Sequence, residues 1–331
     1  MTLTSSRRRV LGATAGLAMG LPLAVSAQPA GGRPARIGFL FPGTASAAET
    51  RIAAMRDGMR AGGYALAAQA EVVARVAAGD PVRLPAMAAE LVAAKVDLIV
   101  PVSPSAVRAA QAATTTIPVV AFDLESDPVA SGFVASLARP GGNITGVFSD
   151  FPSFGTKWLE LLKEALPHLA RAVVLWDPGT GTQQLDAVQS AGRMLGVVLP
   201  VLEIRAMTEL ARVFDAAAAE RPDAVIILSS PIFGSDPKPI ADLALQHRFA
   251  TATLFTEIAR AGGLIGYGPN LLGSMRQAGT MVARVLAGAR PAELPVERPT
   301  LFELVINLRT AKALGLTLPA ALLLRADEVI E

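Results

Sequence analysis

The sequence predicts an α/β protein made of two doubly wound lobes, and three observations predict it. Short runs rich in Val, Ile and Phe alternate with Ala/Leu-rich stretches of helical periodicity. That pattern fits parallel strands covered by helices on both faces. The rhythm restarts once, after Gly141-Gly142-Asn143, and a chain of 331 residues exceeds the size at which a single core keeps growing.

The elements follow in order. Arg36 to Phe41 reads as a first strand. Ala47 to Ala61 reads as its helix, with Ile52, Met55 and Met59 at helical spacing. Next come a strand at Glu71 to Ala74, a helix from Val82 to Ala93 and a strand from Asp97 to Val102. A helix from Ser105 to Ala113 and a strand from Pro118 to Phe122 complete the first block. The second block has helices at Trp158–Ala165, Gln184–Leu195, Glu209–Ala219 and Ile240–Gln246. Its strands are Ala172–Trp176, Leu199–Ile204, Ala224–Leu228 and Ala252–Phe255. A helix from Leu271 to Ala287, a linker from Arg290 to Pro299 and a late strand from Leu301 to Ile306 close the pattern.

Two stretches read as crossings between lobes. Residues 127 to 148 hold Asp127-Pro128, Arg139-Pro140-Gly141-Gly142 and two short strand-like pieces, and residues 262 to 269 are rich in glycine. Two crossings of this kind imply lobes made of discontinuous segments: 35–146 with 268–296, and 147–267 with 297–331. Such lobes can open and close about a cleft.

The first 27 residues carry an address. Ser6-Arg7-Arg8-Arg9-Val10-Leu11 precedes a soft apolar run to Val25, which closes on the small-x-small pattern Val25-Ser26-Ala27. Paired arginines of this kind fit a twin-arginine export signal. Gly12, Gly16, Gly20 and Pro22 dilute the run below the ~20 apolar residues that span a bilayer. Cleavage near Ala27 and a periplasmic protein are expected. Removing three arginines and no acids from 30 basic and 28 acidic residues leaves 27 against 28, a net of −1. That balance argues against nucleic acid or an anionic membrane as partner.

In open parallel sheets, ligands bind beyond the carboxyl ends of the strands. In this chain those ends carry Phe41 and Thr44, Ser103 and Ser105, Asp123 and Asp127, Asp177, then Ser229 and Ser230. Hydroxyls and helix N-terminal amides can hold an anionic group, and carboxylates an ammonium. The same residue types are also the preferred helix caps. Glu125 lies between the two acids of the fourth strand end, and of this loop Asp127 is expected to matter more to binding than Glu125.

Catalytic signatures are missing. The chain has no cysteine and only His168 and His247, one in a helix-to-strand connection and one at a helix end. No phosphate-binding Gly-rich loop, dinucleotide fingerprint, nucleophile elbow or metal-ligand spacing occurs. Neither an enzymatic activity nor a cofactor or metal is expected.

Leu137-Ala138-Arg139-Pro140-Gly141-Gly142-Asn143-Ile144-Thr145-Gly146 closely resembles the inter-lobe segment of ABC-transporter substrate-binding proteins related to tryptophan-binding types. Thr116-Ile117-Pro118-Val119-Val120, Asp127-Pro128-Val129 and Lys157 to Glu164 agree with it. So does the ending, from Phe302-Glu303-Leu304-Val305-Ile306-Asn307 to Leu322-Leu323-Leu324-Arg325-Ala326-Asp327-Glu328-Val329-Ile330. The resemblance implies a type I periplasmic-binding-protein fold, with two flavodoxin-like lobes joined by hinge strands. It implies capture of a small organic solute, an amino acid or related compound, for a membrane permease, by a protein acting as a monomer. It also adds Tyr267, at the return crossing, to the expected ligand-binding residues. The acids at Asp123 and Glu125 depart from the family's usual small apolar residues and favour an ammonium-bearing ligand. A ligand-sensing receptor with the same lobes is the alternative, and an exported α/β hydrolase a more distant one.

Overall fold

The structure is a computed structural model describing residues 34–65, 67, 70–149 and 152–331, the side chains of 152 and 153 excepted. The expected export signal lies outside the described residues. Among those that are described, no helix is long and apolar enough to cross a membrane.

The first sheet holds β1 (Arg36–Phe41), β2 (Glu71–Val76), β3 (Leu98–Pro101), β4 (Val119–Asp123) and β5 (Ile144–Phe148), in the order β2-β1-β3-β4-β5. All its pairings are parallel. Helices α1 (Ala45–Ala61), α2 (Leu84–Ala93) and α3 (Pro104–Ala113) connect them. β3 and β4 are buried along their whole length, as strands covered on both faces must be. Of the two strand-like pieces expected between residues 127 and 148, only Ile144–Phe148 forms a strand; the other lies in turns.

The second sheet is wider. It contains β6 (Ala172–Trp176), β7 (Val201–Glu203), β8 (Ala224–Ile227), β9 (Ala250–Thr253), β10 (Ile265–Pro269), β11 (Phe302–Asn307) and β12 (Glu328–Ile330), in the order β12-β11-β10-β9-β8-β6-β7. Its helices are α4 (Pro152–Ala165), α5 (Gln183–Leu195), α6 (Leu210–Ala219), α7 (Pro237–Gln246) and α8 (Thr256–Ala261). The all-parallel expectation fails at one place: β10 and β11 run antiparallel. The reason is the route between them. The chain leaves β10 for α9 (Leu271–Leu286), which packs on the first lobe, and re-enters the second sheet from that side. α10 (Leu308–Leu314), α11 (Ala320–Leu323) and β12 complete the chain; they and α8 are too short for periodicity to reveal.

The seating of α9 on α1 fixes that route. A Cβ at Gly58 would lie 1.8 Å from the Arg276 carbonyl oxygen, and one at Gly279 would lie 2.2 Å from that of Met55. The two helix backbones therefore meet at glycines, where no larger residue fits. Met55, Met59, Met275 and Met281 fill the seam and are fully buried. Overpacking such a seam costs about 1–3 kcal/mol or more. Gly58→Val is expected to lower the urea midpoint of unfolding, whereas Ala53→Ser, at an exposed position of the same helix, should leave it within error.

Candidate ligand cleft

The carboxyl ends of both sheets face each other, and the loops beyond them meet directly. Ser229 Oγ, after β8, donates to Glu125 Oε1, after β4, at 2.8 Å. Arg108 of α3 donates to the carbonyl of Gly179 at 2.9 Å, and Arg51 of α1 donates to that of Gly234 at 3.4 Å. Between the lobes a cavity of about 20 Å³ remains beside Ser103, Ser105, Asp177, Thr180 and Ile232. That is room for roughly one water. A larger cavity of about 370 Å³ opens towards the rim, between Thr44 and Gly79 on one side and Met207, Leu210 and Ile232 on the other. The lobes are closed on one another.

Charge is concentrated here. Among the described residues the buried charged side chains are Arg51, Asp123, Glu125 and Asp177, and all four lie at this boundary. Buried charges are costly unless paired or neutralised; the three acids are supplied with donors, whereas Arg51 is only partly satisfied. Asp123 accepts from the backbone N–H groups of Glu125 and Ser126 and from the Ser126 hydroxyl. Burial nevertheless raises its pKa to about 6, against the lowering effect of those bonds. Burial first, and then the neighbouring Asp123 charge, hold Glu125 well above the usual carboxylate range. Asp177 is raised by burial, although it accepts from Ser230 Oγ at 2.6 Å and from the Gly179 N–H at 2.8 Å. Arg51 lies with its guanidinium 4.9 Å from the centre of the Phe41 ring, bonded only to carbonyls, and its Nε has no partner. Burial lowers its pKa, while the Glu257 and Glu125 charges oppose that.

The sequence-predicted residues divide. Phe41, Asp123, Asp177, Ser229 and Ser230 come together at the boundary, and Ser103 and Ser105 line the small cavity with their hydroxyls 3.0 Å apart. Ser103 also caps α3 and holds a φ of 93°, a strained conformation for a side-chain-bearing residue. Thr44 caps α1 at the rim. Asp127 turns away: it accepts from the N–H groups of Val129 and Ala130 and closes a turn. Of the two acids, Glu125 is the one that bonds across the lobe boundary, whereas Asp127 bonds within its own turn. Tyr267 sits apart, beside Phe154 and Phe302 near the crossings. Sequence reasoning missed Arg51 and Gln184, which pins Ser229 by bonds to both its N–H and its carbonyl. A cation at a core-facing helical position was the available signal for Arg51.

The family model for ABC transporter substrate binding proteins matches residues 45–330. The chain belongs to that family. A tyrosine-binding protein from Clostridioides difficile (strain R20291) is 25% identical over 232 residues, covering 70% of this chain and 66%, just under two thirds, of that relative's own length. Among solved structures, the ABC domain in complex with L-Trp from Streptococcus pneumonia superposes with a TM-score of 0.81 at 24% identity. It covers 90% of this chain and all of that one. A conserved domain protein from Vibrio cholerae reaches 0.82 at 25% identity with the same coverage. The ligand-free, open structure of a substrate binding protein with adhesive properties from Clostridium difficile scores 0.63 at 21%, covering 90% of this chain and 99% of that one. The family, the two sheets and these likenesses together establish the type I periplasmic-binding fold with two lobes.

The raised carboxyls set a pH dependence. Below about pH 3 both Asp123 and Glu125 are neutral in the folded and unfolded chain, so neither alters stability. As pH rises the unfolded chain ionises first, and stability is lost up to about pH 6 for Asp123, with the raised Glu125 adding a loss of the same sign. Moving the titration of one carboxyl by a single pH step is worth about 1.4 kcal/mol. Thermal unfolding should therefore give a higher midpoint at pH 5 than at pH 7.5, and Glu125→Gln, which mimics the neutral acid, should flatten that difference.

Proposed function

We propose that this protein captures a small organic solute, an amino acid or close relative, between its lobes and delivers it to the permease of an ABC importer. In this reading the chain is exported, cut near Ala27 and works in the periplasm as a monomer. Its lobes comprise residues 35–146 with 268–296, and 147–267 with 297–331, except that the last two residues of β5 stay with the first sheet and the last two of β10 with the second.

One observation carries the reading: among the described residues, the buried charged side chains line the lobe boundary, and they are of both signs. Glu125 and Asp123 offer oxygens to an ammonium group, with Ser229 and Ser230 beside them, while Arg51 offers N–H groups to a carboxylate. A zwitterion can satisfy both ends without leaving a buried charge unpaired. Family membership and the tyrosine- and L-Trp-binding proteins similar to this chain support an amino acid, and Phe41, Phe233 and Phe255 supply apolar walls. Phe41, Thr44, Ser103, Ser105, Asp123, Asp177, Ser229 and Ser230 remain the proposed contacts, and Glu125 and Arg51 join them.

The test is a thermal-shift screen of residues 28–331 against the common amino acids and their amines. A ligand at about 100 times its Kd stabilises by about 2.7 kcal/mol, a rise of roughly 5–10 °C for lobes of this size. Glu125→Ala is expected to weaken the best ligand at least tenfold and Asp127→Ala by much less. A flat screen with well-folded protein would contradict the amino-acid reading.

A further inference from the structure

A second cavity lies away from the cleft, where the chain passes between the two sheets. It has a volume of about 520 Å³, within the size range of small-molecule sites, and it shares no lining residue with the cleft cavities. Three connections border it. Ser149 follows β5 on the way to α4, Tyr267 lies in β10 two residues before the passage to α9, and Arg298 and Pro299 stand on the return path to β11.

Its lining is unusual in three respects. Phe154 is the hub of an aromatic cluster, with ring centres 6.0 Å from Tyr267 and 5.8 Å from Phe302, and Phe302 is 44% exposed although large and apolar. Two cations face the same space. Arg298 donates to the carbonyls of Phe148 and Ser149 and has no carboxylate within ion-pair distance among the described residues. Among the described residues, the ion pair of Lys157 is with Glu160, one turn along its own helix at 3.6 Å. Finally, Ser149 is 2% exposed and its hydroxyl has no hydrogen-bond partner. A buried hydroxyl left unsatisfied in a polar, roomy lining is uncommon and points to a group from outside.

We infer that this hinge-side cavity is a second binding site, for a small aromatic carboxylate. The ring packs on Phe302 and Tyr267, and the carboxylate meets Arg298, Lys157 and the Ser149 hydroxyl. The aromatic walls select a flat ring through offset and edge contacts, and the cations select the sign of the charge. An occupant touches all three connections between the sheets, so it braces the lobes in one mutual orientation. The inference stands independently of the ligand proposed for the cleft.

Indole-3-acetate is a suitable probe, because it has an aromatic ring and a carboxylate but no ammonium group for Glu125. Titration calorimetry of residues 28–331 should show saturable binding below millimolar concentration, with tryptamine, the same ring bearing a cation, at least about tenfold weaker. Phe302→Ala should weaken the probe about three- to tenfold, and Lys157→Met about two- to fivefold. Both positions are partly exposed, and an unchanged unfolding midpoint will show that each variant folds. No binding at millimolar probe, equal affinity for tryptamine, or the same affinity in wild type and both variants would each overturn the inference.

Discussion

The arrangement of this molecule turns on one buried contact, the hydrogen bond from Ser229 to Glu125 across the lobe boundary. A carboxyl at the mouth of an apolar interior is tolerated only if it is neutral, paired or well supplied with donors. Asp123 uses its donors locally, from Ser126 and the turn backbone, and its proximity keeps Glu125 from ionising readily. Glu125 must therefore find its donor on the other lobe, hold a proton, or meet a cation. Each of those states has a different consequence for whether the lobes stay together.

The rest of the fold positions that contact. Gln184 in α5 fixes the Ser229 backbone from both sides, so the hydroxyl is presented rather than mobile. Asp177 and Ser230 tie the loop after β6 to the loop after β8, giving the second lobe one polar surface. On the first lobe, the glycine seam between α1 and α9 holds α1 in place and carries Arg51 to the boundary. The apolar core continues through Phe41, Leu124, Phe233 and Phe255, so closure buries hydrophobic area as well as charge.

Much of this was legible in the sequence. Alternating apolar runs and helical stretches identified both sheets and most helices, because parallel strands buried on two faces leave that signature. The polar strand ends brought Asp123, Asp177, Ser229 and Ser230 to notice. The antiparallel pairing of β11 was not legible, since strand direction depends on a path through the other lobe and periodicity reports only local burial. Asp127 was favoured over Glu125 without a physical basis, because two acids in one loop look alike until one of them caps a turn. Arg51 offered one signal, a cation on the core-facing side of α1, but its bonding partner Gly234 lies on the other lobe. Tyr267 was read from its place at a crossing, which is right for the chain path yet sets it beside Phe154 and Phe302 rather than Glu125.

If the proposed function holds, neutralising the acid pair at Glu125, by a proton or by a ligand ammonium, favours the closed lobes. The absence of cysteine makes it directly measurable, since spin labels can be placed at the exposed positions Val82 and Arg212, one on each lobe. Electron–electron distance measurements at pH 5 and pH 7.5, with and without the amino acid bound most tightly, would follow the closed population. A larger short-distance fraction is expected at pH 5, a ligand should restore it at pH 7.5, and the Glu125→Gln protein should be closed at both. Distance distributions that ignore pH, ligand and Glu125→Gln alike would contradict these expectations.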